Sequence, residues 1–174
     1  RIGFAPDSWD AVILWAKSKR ISPQLLEQVG LVTSKEGSRS VYDRFRGRIM
    51  FPLFDEVGRV IGFSGRVLES DQPGGKYINT PETRLFKKSK VLFGLNQARK
   101  HIVDQQQAIL CEGQIDVIQC QEAGIYNAVA ALGTAVTEDH ARILARYAER
   151  VLLLLDADRA GMKAALKAAE MLLA

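Results

Sequence analysis

The sequence predicts an α/β protein in two parts: an α+β part over residues 1–105 and a Rossmann-like parallel-sheet part over residues 106–174. In the second part, short apolar runs alternate with helical patterns, which is typical of βαβ units. In the first part, paired apolar runs are separated by turn residues, as in an antiparallel hairpin. Polarity changes at residues 104–107, where we place the boundary.

Charge divides the chain in the same way. The 174 residues are 47% hydrophobic, enough to bury a core, and carry a net charge of +4. Residues 1–105 contain 18 Lys and Arg against 11 Asp and Glu, whereas residues 106–174 contain 6 against 9. A basic part beside an acidic part suits a protein that holds a polyanion against metal-binding carboxylates. The alternative is a solvated surface of uneven charge.

Simple features disfavour several classes of protein. No apolar run reaches membrane-spanning length and no signal-peptide pattern opens the chain, so we expect a cytoplasmic protein with no membrane partner. Cys111 and Cys120 lie in apolar segments and are expected to be buried thiols. Together with two histidines they form no zinc signature, so no zinc is expected. The start at Arg1 without Met, and the end inside a predicted helix, lead us to expect an excised, truncated fragment.

The first part opens with two short predicted helices. Helical spacing of apolar residues predicts the first over residues 9–19, capped by Asp7 or Ser8. Its tryptophans, Trp9 and Trp15, are expected in the core rather than as base-stacking platforms.

Three arginines alternate with other residues in the next segment. Arg44, Arg46 and Arg48 would point the same way on an extended strand. Three guanidiniums on one face are suited to phosphate groups, and the alternative is an exposed face charged for solubility. The use of Arg each time, with Phe45 between, favours contact with a nucleotide or nucleic acid.

A β-hairpin is predicted after the arginines. Apolar runs over residues 49–54 and 59–63 flank a turn with Gly58 at positive φ. Gly65 is expected to let a ligand approach the backbone closely, and Arg66 brings a cation to that place.

A further polar set follows the hairpin. Lys76, Tyr77 and Asn79 offer a cation, an aromatic ring and an amide within four residues. Such a set can hold a phosphate and a base or sugar, although each residue alone would be ordinary surface.

The most informative stretch is an apolar run that ends in two carboxylates. Residues 151–155 have strand length and are apolar on both faces, which indicates a central strand of a covered parallel sheet. Asp156 and Asp158 follow it where the next helix begins, at the edge where open α/β sheets bind ligands. Two hard oxygen ligands suit Mg²⁺ or Mn²⁺. The alternative is that Asp158 only caps the helix.

Two more carboxylates are predicted at this edge. Glu112 closes another strand, and Asp116 can lean back over the same end from the first helical turn. Four carboxylates together would repel strongly, and a divalent metal relieves that repulsion. With a phosphate substrate, two ions can activate an attacking oxygen and stabilise the leaving one. Gly113 is expected to permit the tight strand-to-helix turn, and Gly161 the close packing of the last helix.

The acidic motifs resemble the TOPRIM domain, which is shared by bacterial primases, type IA and II topoisomerases and small nucleases. A wider set, spread over nearly the whole chain, resembles a bacterial DnaG-type primase. The motifs of that set are Gly3-Phe-Ala-Pro, Tyr42-Asp-Arg-Phe-Arg, Gly65-Arg66-Val, Lys76-Tyr-x-Asn79-x-Pro-Glu-Thr83, Glu-Gly-x-x-Asp116, Ala-Leu-Gly-Thr134 and Asp-x-Asp-Arg-Ala-Gly161.

The resemblance implies the catalytic core of a DNA primase, a DNA-dependent RNA polymerase that makes short RNA primers on single-stranded DNA from NTPs. It implies Mg²⁺ or Mn²⁺ at four carboxylates: Glu112, Asp116, Asp156 and Asp158. Catalytic roles would belong to Glu112, Asp156 and Asp158. Seven residues would face nucleotide or template: Arg44, Arg46, Arg48, Arg66, Lys76, Tyr77 and Asn79. The full protein would meet a replicative helicase through regions outside this chain.

The sequence departs from the family pattern in two ways. Nothing in it could bind zinc as the family's N-terminal module does, and the family's second acidic motif would lie beyond residue 174. We therefore expect weak activity, or none, from this chain alone.

Other functions stay open at this point. A TOPRIM nuclease or topoisomerase is one, although no strand-cleaving tyrosine is placed recognisably. A haloacid-dehalogenase-type phosphohydrolase also has Asp-x-Asp after an apolar strand, but Ala160 stands where Thr or Val is usual. A non-catalytic nucleic-acid-binding fragment is the third alternative.

Overall fold

The computed structural model describes residues 2–34, 40–68, 75–133 and 135–173, so that Thr134 lies outside the described residues. The first elements are β1 Gly3–Ala5, α1 Ala11–Ser18, α2 Pro23–Gln28, β2 Val32–Ser34, β3 Val41–Asp43, β4 Arg48–Phe54, β5 Val60–Val67 and β6 Tyr77–Asn79. A 3-10 turn at Lys88–Lys90 follows. The last elements are β7 Leu92–Phe93, α3 Leu95–Gln105, β8 Gln107–Cys111, α4 Gln114–Glu122, β9 Ala128–Ala131, α5 Glu138–Ala145, β10 Arg150–Leu154 and α6 Arg159–Leu173.

The chain packs as two compact units. One comprises residues 1–53 and 60–87, and the other comprises residues 54–59 and 88–174. The first contains an antiparallel sheet and the second a mainly parallel one, so the predicted fold class is confirmed. By packing, α3 belongs with the second sheet, and the domain boundary near residue 105 stays a prediction. No helix in the described ranges combines the length and apolar character needed to span a membrane.

The first unit is built on a four-stranded sheet with the order β1-β4-β5-β6. Strand β1 pairs antiparallel with β4, and β6 pairs antiparallel with β5. Strands β2 and β3 form a separate antiparallel ribbon. The turn between β4 and β5 has Gly58 at a φ of 87°, as predicted for this hairpin.

Helix α1 is capped from a distant strand. The Asp43 carboxylate accepts hydrogen bonds from the backbone N–H groups of Val12 at 2.6 Å and Ile13 at 3.3 Å. Such bonds satisfy N–H groups that have no partner within the helix. The prediction of Asp7 or Ser8 as the cap is therefore wrong, because a residue about thirty positions away supplies the oxygen.

Both tryptophans lie at the surface, so the prediction that they are core residues is wrong. Trp9 is 63% exposed and Trp15 is 55% exposed. Helix α1 instead buries Ala16, which packs with Leu26 and Val32. The small alanine brings the helix close to its neighbours, and the large rings are left on the outer side.

The second unit is built on a four-stranded sheet with the order β10-β8-β9-β7. Strands β10, β8 and β9 are parallel neighbours, whereas β7 is antiparallel to β9. The core on this sheet includes Leu110, Val129 and Ile102. Strand β7 occupies Leu92–Phe93.

Strand β10 lies at the edge of this sheet. Val151 and Leu153 pack against the core, whereas Leu152 and Leu154 are about half exposed, at 50% and 52%. The prediction of a central, covered strand is wrong for the described part of the chain, where β8 takes the central place between β10 and β9.

Candidate functional site

The carboxyl ends of β8 and β10 bring Glu112 and Asp156 together. Parallel pairing places Cys111 opposite Leu154, so the polar residues that follow lie at one edge of the sheet. Glu112 Oε2 accepts a hydrogen bond from the backbone N–H of Asp156 at 3.0 Å. Both residues are exposed. Their meeting at this edge agrees with the expectation from the strand ends.

Asp116 turns back towards the end of β8 from the first turn of α4. Its Oδ2 accepts a hydrogen bond from the backbone N–H of Gly113 at 2.8 Å. Asp116 and Asp156 line one cleft of about 340 Å³. The structure therefore places the third predicted carboxylate near the first two.

Gly113 is not required for the turn that precedes α4. Its φ of −142° and ψ of 175° are extended backbone that any residue adopts. A Cβ atom would meet the Asp116 carboxylate at 3.5 Å, an ordinary contact. The expectation that Gly113 permits a tight strand-to-helix turn is therefore not supported by its extended backbone.

Asp158 and Gly161 shape the start of α6. Asp158 Oδ1 accepts a hydrogen bond from the backbone N–H of Gly161 at 2.7 Å, which is the capping role considered for this residue. The cap uses one of its two carboxylate oxygens. A Cβ atom on Gly161 would overlap the backbone carbonyl oxygen of Asp156. The close packing predicted at Gly161 is confirmed, and this contact holds the Asp156 backbone.

The donor chemistry of this edge fits a divalent cation. Glu112 and Asp156 are exposed carboxylates, the hard oxygen ligands that Mg²⁺ and Mn²⁺ prefer. No three acidic, histidine or cysteine side chains in the described ranges are placed to hold a metal ion together. The structure thus brings the Glu112 carboxylate to the backbone of Asp156, and a centre made of all four carboxylates stays a prediction.

Gln114, the first residue of α4, carried no signal in the sequence. Its side chain is buried, and its Nε2 has no hydrogen-bond partner among the described residues. Buried polar groups are nearly always paired, so this donor, two residues from Glu112, marks a polar position at the same edge. Burial is what distinguishes Gln114 from the other glutamines as a candidate site residue. Sequence periodicity does not predict the burial of a single glutamine.

The two cysteines flank this edge as buried thiols, as predicted. Their sulfur atoms are 4.0 Å apart, twice the length of a disulfide bond. Burial, and next the Cys120 thiol, raise the pKa of Cys111 to about 12. The Cys111 thiol is therefore held in its protonated form.

The three arginines do not share a strand face. Strand β3 ends at Asp43 and β4 begins at Arg48, and the link contains Gly47 at a φ of 57°. This left-handed residue interrupts the extended backbone on which the prediction depended. The prediction that the three arginines share one strand face is therefore wrong.

Arg44 and Arg48 are engaged by backbone carbonyl groups. Arg44 donates from Nε and Nη2 to Asn79 O at 3.2 and 3.0 Å. Arg48 is buried and donates from Nη1 to Gly65 O at 3.2 Å and to Gly75 O at 3.1 Å. Burial lowers the pKa of both guanidiniums. These bonds tie β4 and β6 to their surroundings, and direct phosphate contact by the two arginines stays a prediction.

The remaining predicted cations lie on β5 and β6. Arg66 and Tyr77 are paired across the two strands, with Arg66 Cζ 5.7 Å from the Tyr77 ring centroid. Lys76 is exposed beside them, and Asn79 is half-buried. The structure therefore groups Arg66, Lys76 and Tyr77 at one place.

Gly65 makes room for protein side chains rather than for a ligand. A Cβ atom there would lie 2.9 Å from Phe45 and 3.0 Å from Arg48. The expectation of close ligand approach is thus not supported, because neighbouring side chains fill the space.

Comparison with known families decides the identity of the chain. The family described as "DNA primase catalytic core, N-terminal domain" matches residues 1–99. The chain belongs to the DNA primase catalytic core family. A Toprim domain matches residues 106–174, and such a domain implies divalent-metal binding in general. The resemblance stated from the motifs is confirmed.

Individual primases agree over nearly the whole chain. The DNA primase of Deinococcus radiodurans is 46% identical over 166 residues, which are 95% of this chain and 29% of that protein. A DNA primase domain from Pseudomonas aeruginosa has a TM-score of 0.88 at 42% identity, covering 99% of this chain and 53% of the other. A DnaG primase catalytic domain bound to ssDNA has a TM-score of 0.85 at 43% identity, covering 98% and 52%. The chain thus spans under a third of that curated primase and about half of these solved domains.

Proposed function

We propose that the chain is part of the catalytic core of a DNA primase, a DNA-directed RNA polymerase that makes short RNA primers on single-stranded DNA by nucleotidyl transfer from NTPs. The similarity to a primase catalytic domain bound to ssDNA, over 98% of this chain at 43% identity, carries this proposal. The match of residues 1–99 to a primase family favours it over a Toprim nuclease or topoisomerase.

Glu112 and Asp156 would hold Mg²⁺ or Mn²⁺, with Asp116 and Asp158 close by. When bound there, the cation would supply positive charge to the NTP triphosphate and lower the pKa of the primer 3′-hydroxyl. Glu112 Oε2 accepts the Asp156 N–H and so holds the two strand ends in place. Its second oxygen is a candidate metal ligand or general base.

The cations of residues 1–105 would bind the phosphates of template and NTP. Residues 1–105 carry a net charge of +7, which favours polyanion binding. Arg66, Lys76 and Tyr77 offer charge and an aromatic ring for direct contact. Arg46 donates from Nη1 to Asp43 O at 2.6 Å and offers its remaining guanidinium donors. Arg44 and Arg48 would act mainly by positioning β4 and β6, because their guanidinium groups bond to carbonyl oxygens.

Glu112→Gln tests the proposed site, with Glu122→Gln as the matched control. Both changes remove one negative charge from an exposed glutamate, but Glu122 lies at the end of α4 away from the strand edge. We expect Glu112→Gln to abolish primer synthesis while affinity for single-stranded DNA is retained, and Glu122→Gln to preserve both. Primer synthesis is measured on the 174-residue chain and on one extended to the length of the solved domains.

Normal synthesis by Glu112→Gln would refute the role of this carboxylate. If the chain without substitutions did not bind single-stranded DNA, that result would argue against the primase function itself.

The cellular setting is also part of the proposal. A primase that copies bacterial DNA works in the cytoplasm. We propose that location, and contact with a replicative helicase through regions outside this chain. Affinity purification of the longer protein from cells tests the second point.

A further inference from the structure

The two cysteines of the sequence face each other inside the second unit. Cys111 ends β8, Cys120 lies in the last turn of α4, and their sulfur atoms are 4.0 Å apart. Both belong to one cluster of buried residues, in which Cys111 is 2% exposed and Cys120 is 8% exposed. A buried thiol usually serves as a small apolar side chain, but two thiols that meet sulfur to sulfur can also be joined by a bond.

The distance between the two sulfur atoms is short enough to be closed. A disulfide bond is about 2.05 Å long, so the sulfur atoms must approach each other by about 2 Å. Rotation about χ1 of either cysteine moves its sulfur while the backbone stays in place, and a small displacement of α4 against β8 supplies what remains.

Cys120 is the sulfur that a small oxidant reaches first. It lines the cleft of about 340 Å³ together with Asp116 and Asp156, whereas Cys111 does not line it. Asp116 and Cys120 are four residues apart and therefore lie on the same face of α4. Burial raises the pKa of Cys111 to about 12, so this residue stays a thiol until it meets an oxidised partner.

We propose that Cys111 and Cys120 form a reversible disulfide site, at which an oxidant of the peroxide class cross-links the end of β8 to α4. Cys120 Sγ attacks one oxygen of hydrogen peroxide, the O–O bond breaks, water leaves, and a sulfenic acid forms. Cys111 Sγ then attacks the oxidised sulfur, so that the S–S bond forms, the S–O bond breaks and a second water leaves. The two thiols lose two electrons and two protons, and one peroxide becomes two water molecules. Dithiothreitol reverses the cross-link by thiol exchange.

The cross-link would act on the sheet edge proposed to hold the metal. Cys111 immediately precedes Glu112, and Cys120 lies about one helical turn beyond Asp116. Drawing the two sulfur atoms together therefore shifts the backbone that carries both carboxylates. A misplacement of about 1 Å can lower a catalytic rate about 100-fold. This consequence rests on the proposed function, whereas the cross-link itself does not.

Mass spectrometry of the folded 174-residue chain tests the cross-link. The protein is exposed to hydrogen peroxide at neutral pH, unfolded, and treated with N-ethylmaleimide, which labels every remaining thiol. We expect the reduced protein to carry two labels, and the oxidised protein to carry none and to be lighter by two hydrogen atoms. Dithiothreitol before labelling should restore both labels. Cys111→Ser is the matched control, because it should stop at the sulfenic acid of Cys120, which dimedone traps.

Three results would overturn the disulfide site. The first is two labels on the folded chain at a peroxide dose that cross-links the same chain in urea. The second is oxidation of Cys120 beyond the sulfenic acid without an S–S bond. The third is a disulfide that forms only between two chains.

Primer synthesis by the extended chain tests the consequence. We expect peroxide to remove most of the synthesis, dithiothreitol to restore it, and Cys120→Ser to show no such loss relative to its own reduced state. Full synthesis by the cross-linked protein would overturn the effect on the sheet edge. Absence of synthesis before oxidation would refute the proposed function and this consequence, while the mass measurement decides the disulfide site independently.

Discussion

The backbone N–H of Asp156 donates a hydrogen bond of 3.0 Å to Oε2 of Glu112, which lies 44 residues earlier in the chain. The two residues follow β10 and β8, which are parallel neighbours. Sheet pairing, rather than local sequence, therefore sets the geometry of this edge. A ligand that binds there meets groups from two strands at once.

A manganese soak of crystals tests this edge directly. We expect an anomalous peak in contact with both Glu112 and Asp156, because both residues are exposed and the Glu112 carboxylate already contacts the backbone of Asp156. Crystals of Glu112→Gln soaked in the same way should show a weaker peak or none. A peak on Asp156 and Asp158 that avoids Glu112 would favour a phosphohydrolase-like site. An empty map at a saturating Mn²⁺ concentration would contradict the metal pair in this chain.

Gly161→Ala should destabilise the protein. An added Cβ would overlap the carbonyl oxygen of Asp156, and overpacking of this kind costs about 1–3 kcal/mol. In an unhindered helix the same change stabilises by roughly 1 kcal/mol, so the sign is diagnostic. Urea unfolding measures it, with Gly3→Ala as the control because its nearest neighbour, Met50 Cβ, is 3.9 Å away. A gain in stability for Gly161→Ala would show that the turn after β10 relaxes freely.

Asp43→Ala should cost about 1–2 kcal/mol of unfolding free energy, because two N–H groups of α1 lose their carboxylate cap. Asp7→Ala, at the position that sequence alone suggests for the cap, should have little effect because Asp7 is exposed. Thermal and urea unfolding of both variants give the comparison. Equal losses, or a larger one for Asp7→Ala, would contradict the capping role of Asp43.

Protonation of His140 should lower the free energy of unfolding in mild acid. The ring is fully buried, Nδ1 accepts the Thr137 N–H at 3.3 Å, and Nε2 donates to Lys88 O at 3.0 Å, an arrangement of the neutral imidazole. Burial lowers the pKa of His140 in the folded state. The unfolded chain therefore binds the proton first as the pH falls. Unfolding free energy should be highest above about pH 6.5 and decrease as the pH falls from there towards the lower folded pKa, by at most about 1.4 kcal/mol per pH unit. Below the folded pKa the contribution of His140 is constant.

Urea unfolding between pH 7.5 and pH 5 measures this effect. Carboxylates also contribute to acid destabilisation, so the comparison between variants is decisive. His140→Gln should flatten the dependence above pH 5, whereas His101→Gln, a change on α3, should keep it. An unchanged slope in His140→Gln would assign the effect to other groups.

The arginine segment shows where sequence reasoning fails. Alternation of Arg44, Arg46 and Arg48 implies a common face only if the backbone is extended throughout. Gly47 has a φ of 57° and ends that regularity. Glycine adopts either sign of φ with ease, so the residue type alone does not reveal which one the fold selects.

The sequence by itself determined the fold class, the hairpin, the βαβ alternation and the meeting of Glu112 with Asp156 at one sheet edge. These features follow from backbone periodicity and from parallel pairing, which act over a few residues or apply to any βαβ unit. Only the tertiary structure decided that Asp43 caps α1, that Trp9 faces solvent beneath Arg46, and that β10 lies at the edge of its sheet. Those outcomes depend on which side chains, far apart in the chain, compete for the same buried space and the same hydrogen-bond donors.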